Sequence, residues 1–150
     1  MILKARALVA IQFGLLGVLF LKPAGWLLSD LEILKVISTL LTIIAFVVFV
    51  FAYVALKPSL RVSPIPKPGA PLIVSGIYRW FRHPMYLGVL MIGLGFLLDN
   101  LNLISIVVFA LLTLNMVVKA NYEDSLLRAR HSYALEYQVK VFGLLGRKHA

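Results

Sequence analysis

Long uncharged apolar runs, broken by short charged or proline-rich stretches, set the pattern of the chain. Ala7 to Leu21 is apolar behind Lys4 and Arg6. Because a bilayer needs roughly 20 residues of helix, this run is expected to continue to about Leu28, with Lys22 snorkelling outward, Trp26 at the interface and Pro23 kinking or ending it. Ser29-Asp30 reads as the N-cap of a second helix, with Glu32 in its first turn and Lys35 last before the lipid. Val36 to Leu56 is an uncharged span of full membrane length. Its Ser38, Thr39 and Thr42 can bond back to helix carbonyls and need no functional explanation. Pro58, Pro64, Pro66, Pro68, Gly69 and Pro71 then exclude helix between Lys57 and Pro71, which reads as an extended loop, either a linker or a ligand lid.

A third helix is expected to start at about His83, since Pro84 suits the first helical position. Met85 to Leu98 and Leu101 to Val118 read as a closely packed hairpin turning at Asp99-Asn100, with Gly88, Gly93 and Gly95 letting the two backbones approach. The second arm continues past the lipid through Lys119, Glu123, Asp124, Leu126, Leu127 and Arg130. Tyr133 and Tyr137 are expected on the face shared by Leu126 and Arg130, in a core or interfacial role.

Composition agrees with the pattern: 61% hydrophobic and 14% charged residues place the chain outside soluble proteins. The expected fold class is all-α, an integral membrane helical bundle of about four transmembrane helices with a C-terminal helical hairpin and a cytoplasmic helical extension. Residues 1–150 are read as one domain, two anchor helices over 1–57 followed by loop, motif, hairpin and tail over 58–150. With four spans, Lys22 and Lys35 alone fall on one side and the other basic residues on the opposite side, so the positive-inside rule puts both termini and the motif loop in the cytoplasm. The net charge of +9 fits a face that meets anionic membrane lipid, and no nucleic-acid motif accompanies it. No cysteine is present, which removes thiolate chemistry, and with acids scattered and histidines few a metal site is not expected.

Candidate chemistry concentrates in Ser75-Gly-Ile-Tyr-Arg-Trp-Phe-Arg-His-Pro-Met-Tyr-Leu-Gly88. Aromatic and arginine residues at a helix mouth are also what a plain interfacial belt looks like. No serine elbow, phosphate-binding loop or dinucleotide fingerprint is present, so a nucleotide-like cofactor would have to bind between membrane helices and their extensions.

Gly-x-Tyr followed by Arg-His-Pro-x-Tyr-x-Gly, then a helix ending in an acidic pair, resembles the isoprenylcysteine carboxyl methyltransferase family and its phospholipid-methyltransferase relatives, from Pro66 to Val141. The resemblance implies S-adenosylmethionine as cofactor and methyl transfer to a lipophilic or lipid-attached acceptor entering from the bilayer. The cofactor-binding positions it carries over are Ala70, Pro71, Leu72, Ile73, Tyr78, His83, Pro84, Met85, Tyr86 and Glu123, with Lys119 at the substrate. The family's acidic pair is Glu-Glu where this chain has Glu123-Asp124, so the register between those two stays open. Lys119 and Glu123 are also spaced to pair with each other on one helix face. A carboxylate acceptor needs no deprotonation at neutral pH, which favours O-methylation over N-methylation of a lipid amine. Alternatives are a non-catalytic scaffold or lipid-binding protein on the same fold, and a membrane reductase using NADPH.

Overall fold

In hydrocarbon each backbone N–H and C=O has to be satisfied within its own segment, so long uncharged runs become helices. The computed structural model describes residues 2–23, 31–57, 64–66, 68–144 and 146. Among them are α1 (Ile2–Phe20), α2 (Glu32–Leu56), a 3₁₀ turn (Gly76–Arg79), α3 (Pro84–Asp99), α4 (Leu103–Arg130) and α5 (Ala134–Lys140). Three of these, α1, α2 and α4, are long and apolar enough to cross a membrane, and α3 is a shorter apolar helix. The protein is an integral membrane helical bundle, and its α2 exposes Ile43, Phe46, Val50 and Val54 to the surroundings as a lipid-facing helix does.

The first helix stops sooner than expected. Lys22 takes a left-handed conformation at φ 52° and its N–H bonds the carbonyl of Leu19 at 3.2 Å, so the helix closes at Phe20 before Pro23. The expected end at Leu28, the interfacial Trp26 and the Ser29-Asp30 cap lie outside the described residues. Leu31 stands at the N-cap of α2, and Lys35 pairs with Glu32 at 2.9 Å. Lys22 turns to Asp99, 2.8 Å away. Asn100 and Asn102 donate their side-chain amides to the carbonyl of Pro23 at 3.2 and 3.1 Å, so the α3–α4 turn is tied to the end of α1. Asn102 also caps α4 by accepting from the Ser105 N–H at 2.9 Å.

At the opposite end of the bundle the Lys4 ammonium sits 4.7 Å from the Tyr122 ring centroid. Helices α1 and α4 therefore run antiparallel, sharing a core of Leu19, Val108, Leu112 and Met116 that also takes in Tyr86 and Val89 of α3.

The glycines of α3 divide between two neighbours, contrary to the expectation that all three serve the hairpin. A Cβ at Gly93 would strike Leu112 of α4, whereas one at Gly88 would press on Phe49 and one at Gly95 on Ser38 and Thr42, all of α2. Gly88 and Gly95 are seven residues apart and share a face, while Gly93 points elsewhere. Opposite them α2 buries Ser38, Ala45 and Ala52, again at a spacing of seven. Two rows of small residues thus bring α2 and α3 together by close packing. Thr39 and Thr42 donate to Lys35 and Ser38 carbonyls, as expected.

The C-terminal helix also departs from expectation. After Arg130 the chain leaves the helix at His131 and re-enters it at Ala134, so Tyr133 and Tyr137 do not continue the face of Leu126 and Arg130. The break lets α5 fold back, where Gln138 Nε2 donates to the Asp124 carbonyl at 3.1 Å and Arg128 donates to Gln138 Oε1 at 2.6 Å.

The α2–α3 seam is directly testable. A side chain at Gly95 would meet Thr42 Oγ1 at 3.1 Å and the Ser38 backbone carbonyl at 3.2 Å, and a carbonyl held in a helix cannot yield. Gly95→Leu is expected to destabilise the protein by about 1–3 kcal/mol, the usual cost of overpacking. Gly14→Ala, which meets nothing within 4 Å, leaves thermal unfolding in detergent unchanged or improves it. Equal melting temperatures for wild type and Gly95→Leu would discard this seam.

Candidate active site

Gly76, at φ 60°, turns the chain from the loop into the 3₁₀ turn, where a side chain would crowd Ala55 at the end of α2. That turn buries Tyr78 and delivers Arg82 and His83 to α4, and Pro84 starts α3 directly behind them. Arg82 Nη1 donates to Asp124 Oδ2 at 2.9 Å, and His83 Nε2 lies 3.0 Å from Asp124 Oδ1. His83 Nδ1 is 3.7 Å from Glu123 Oε2, which also accepts from Tyr86 Oη at 2.5 Å. The His83 and Tyr86 rings stack at 5.3 Å between centroids. Arg82, His83 and Asp124 are buried and Glu123 is partly open. With His83 protonated, two cations face two carboxylates, so the cluster is neutral where a lone charge would be costly.

The C-terminal segment holds this arrangement from the other side. Arg82 N–H donates to the Phe142 carbonyl at 2.8 Å and Phe142 N–H to the Trp80 carbonyl at 3.2 Å. A Cβ at Gly143 would collide with the Arg82 guanidinium, so a side chain there would have to displace Arg82 from its place beside Asp124. Tyr137 Oη donates to the Tyr78 carbonyl at 2.6 Å and pins the 3₁₀ turn.

Two cavities meet at this cluster. One, of about 70 Å³, is lined by the loop residues Ala70, Pro71, Leu72 and Ile73 together with Tyr78, Arg82, Glu123, Asp124, Leu127, His131 and Tyr137. The other, of about 400 Å³, is walled by Phe13, Leu16, Phe49, Met85, Val89 and Ile92, with His83, Tyr86, Lys119 and Glu123 at its polar end. Leu56, Tyr78, Arg82 and Glu123 line both. The larger cavity lies over α3 with α1 on one side and α2 on the other. Phe13 of α1 and Tyr53 of α2 are both exposed at its rim, so it opens between those helices.

The residues singled out in the sequence therefore separate into two groups. Ala70, Pro71, Leu72 and Ile73 line the loop-side cavity; His83, Met85, Tyr86 and Lys119 line the apolar one; Tyr78 and Glu123 join them. Pro84 is buried beneath and lines neither. Lys119 does not sit on a wet face beside Glu123. It is 1% exposed, donates to Gln12 Oε1 at 2.6 Å and lies 4.8 Å from the Tyr86 ring centroid. Arg82, Asp124, Tyr137 and Gln12 were not among the expected site residues. A glutamine inside an apolar helix was the one available signal for the last of these, because an uncompensated amide in hydrocarbon is costly.

Burial alone would lower the His83 pKa, but hydrogen bonds to Asp124 and Glu123 and the charges of both raise it from 6.5 to about 9. For Tyr78, burial first, then the charge of Glu123 and the neighbouring Tyr137, push the hydroxyl above the ordinary tyrosine range, so it stays a neutral phenol. A raised histidine pKa means that the folded state holds a proton the unfolded chain releases. The resulting stabilisation is complete below pH 6.5 and is lost as pH rises through about 9. It amounts to on the order of 3 kcal/mol. Thermal unfolding in detergent is expected to show melting temperature falling between pH 6.5 and 9, with the fall largely absent in His83→Gln. Parallel profiles for the two proteins would refute the protonated cluster.

The model of the isoprenylcysteine carboxyl methyltransferase (ICMT) family matches residues 33–129, about two thirds of the chain, running from α2 through the motif to the acidic pair and the end of α4. No curated protein and no solved structure matches. Methyltransferases of this family use S-adenosylmethionine, and the long apolar helices of this chain fit a membrane methyltransferase. The chain belongs to the isoprenylcysteine carboxyl methyltransferase family of membrane methyltransferases.

Proposed function

We propose that the protein transfers a methyl group from S-adenosylmethionine to the carboxylate of a lipid-attached acceptor that enters between α1 and α2. The observation that carries this reading is the junction of two unlike cavities at Tyr78, Arg82 and Glu123, one lined by the proline-rich loop and one apolar. A two-substrate transfer at a membrane needs such a junction, because a polar cofactor and an apolar tail must meet without mixing their environments.

The donor set on the loop side suits the cofactor. Tyr78 and Tyr137 offer aromatic faces and Glu123 a carboxylate to a sulfonium cation, while Leu56, Ile65 and Leu127 offer apolar walls to an adenine. The cavity's 70 Å³ is well below the roughly 300–1,000 Å³ of pockets that enclose ligands of this size. A neighbouring hollow of about 510 Å³ shares Ala70, Pro71 and His131 with it, so the loop from Ala70 to Ile73 stands between the two spaces and is the segment that a bound cofactor would lie against. Pro84 sets the start of α3 and so the placement of His83, Met85 and Tyr86. Both ring nitrogens of His83 face carboxylates, so its part is to fix Glu123 and Asp124.

When bound, S-adenosylmethionine supplies a methyl group activated by a positively charged sulfur. What the chain adds is positioning and exclusion of water: Tyr86 holds the Glu123 carboxylate, the walls of the larger cavity fix the acceptor's tail, and Lys119 faces its head. No proton has to be removed from a carboxylate acceptor at neutral pH. The lack of a free general base in the cluster fits that reaction better than methylation of an amine.

Glu123 and Asp124 separate the reading from its one-residue slip. Glu123→Gln is expected to weaken S-adenosylmethionine binding by about 1.5–3 kcal/mol in calorimetry, with a smaller loss of stability than Asp124→Asn causes, because Glu123 is the more open of the two carboxylates around His83. Asp124→Asn is expected to lower stability by about 3–5 kcal/mol, since it leaves Arg82 buried without its partner. Unchanged cofactor affinity in Glu123→Gln would remove that residue from the site.

We also propose that this end of the bundle, with Lys4, Lys57, Arg79 and Arg82 gathered near the motif, faces the cytoplasm. A reporter fused after Ala150 is expected to be active only as a cytoplasmic fusion. Activity of a periplasmic reporter at that position would reverse the orientation.

A further inference from the structure

A buried lysine in a membrane protein is ordinarily paired with an acid, because an unpaired charge in a low-dielectric interior is costly. Lys119 departs from this. Its ammonium bonds the neutral amide oxygen of Gln12 at 2.6 Å and lies over the Tyr86 ring. Among the described residues no carboxylate is in direct ion-pair contact with it: the charge of Glu123 is felt at Lys119, but that carboxylate is held by Tyr86 and His83, and Asp124 by Arg82 and His83. An amide satisfies one of the three ammonium N–H groups without neutralising the charge. What remains is a cation at the polar end of a cavity whose walls are otherwise mostly apolar.

The tether is built by helix geometry. Side chains tilt toward the N-terminus of their own helix, and α1 and α4 run antiparallel, so Gln12 and Lys119 lean toward one another across the seam. One turn away Asn115 donates to the Leu8 carbonyl at 3.1 Å, which fixes the register of that seam. Without its tether a lysine stem is free to swing toward the membrane surface, as long cationic side chains in membranes do. Gln12 is 5% exposed, and it lies on α1, outside the residues that the family model matches.

We propose that Gln12 is a positioning residue that holds the Lys119 ammonium toward the apolar cavity as a charge-selective subsite, one that grips the carboxylate of an amphiphilic acceptor and releases its neutral methyl ester. The inference rests on the methyl-transfer reading above for the acceptor's place, and it adds the reason why product leaves. Esterification removes the negative charge that Lys119 holds, while the tail contacts are unchanged.

The test uses full-length protein in detergent and two probes, an S-farnesyl thioether carboxylic acid and the methyl ester of the same molecule, with binding measured by native mass spectrometry. Wild type is expected to bind the acid at least tenfold more tightly than the ester. Gln12→Glu keeps shape and an acceptor oxygen but pairs Lys119 with a charge, so the preference for acid should collapse to within about twofold while affinity for the ester holds. Gln12→Met, which keeps bulk and removes the tether, should lose most of the preference. Calorimetric affinity for S-adenosylmethionine is expected to be the same in all three proteins, and this verifies folding. A merely structural role for Gln12 would leave the acid-to-ester ratio of Gln12→Glu at the wild-type value, and that result overturns the proposal. Equal binding of acid and ester by wild type, or binding of neither, overturns it as well. Failure of the broader reading looks different: the acid preference would be present, but neither cofactor binding nor transfer of a labelled methyl group to the acid would be detected.

Discussion

Asp124 is the point at which separate parts of the molecule are fastened. A single buried carboxylate takes Arg82 on one oxygen and His83 on the other, and the carbonyl of the same residue receives Gln138 from α5. The strand-like passage of Phe142 beside Arg82 adds the C-terminal segment to the same node. Charges this deep are tolerated only in balanced sets, so motif, α4 and tail have to assemble together or leave an unpaired ion. The shape of both cavities follows from that fastening, since Arg82 lies on each of them.

Around this node the two carboxylates of the acidic pair take different tasks. Asp124 is closed in and structural, whereas Glu123 is partly open, lies on both cavities and is oriented by Tyr86. Division of labour between adjacent acids is a consequence of helical geometry, which turns neighbouring side chains about 100° apart. Glu123 brings the longer side chain to the junction of the two cavities, and Asp124 the shorter one to the place where the ions are packed.

The bundle is held by unlike means on its two sides. Helices α2 and α3 approach through rows of small residues, a packing that works in lipid because it needs no hydrophobic effect. Helices α1 and α4 meet through an apolar core with two buried polar bonds, Asn115 to Leu8 and Lys119 to Gln12. Between α1 and α2 lies the larger cavity, so the opening toward lipid falls where neither kind of seam is made.

Uninterrupted apolar length and proline placement were enough to reveal a membrane bundle, the span through Leu56, the start of α3 at Pro84, the turn at Asp99-Asn100 and the family. Each of these follows from constraints local to the chain: backbone bonds that must close within a segment, a ring that fixes φ, and a motif read residue by residue. The closure of α1 at Phe20 and the break at His131 were not legible, because both depend on partners far along the chain, Pro23 with the α3–α4 turn and Gln138 with Asp124. Spacing alone also joined Lys119 to Glu123, while the folded chain joins it to Gln12, 107 positions away. Sequence periodicity tells which residues share a helix face, but only the packing of antiparallel helices decides what that face meets. For a buried charge, that meeting is what determines whether it is a surface ion pair or one wall of a site.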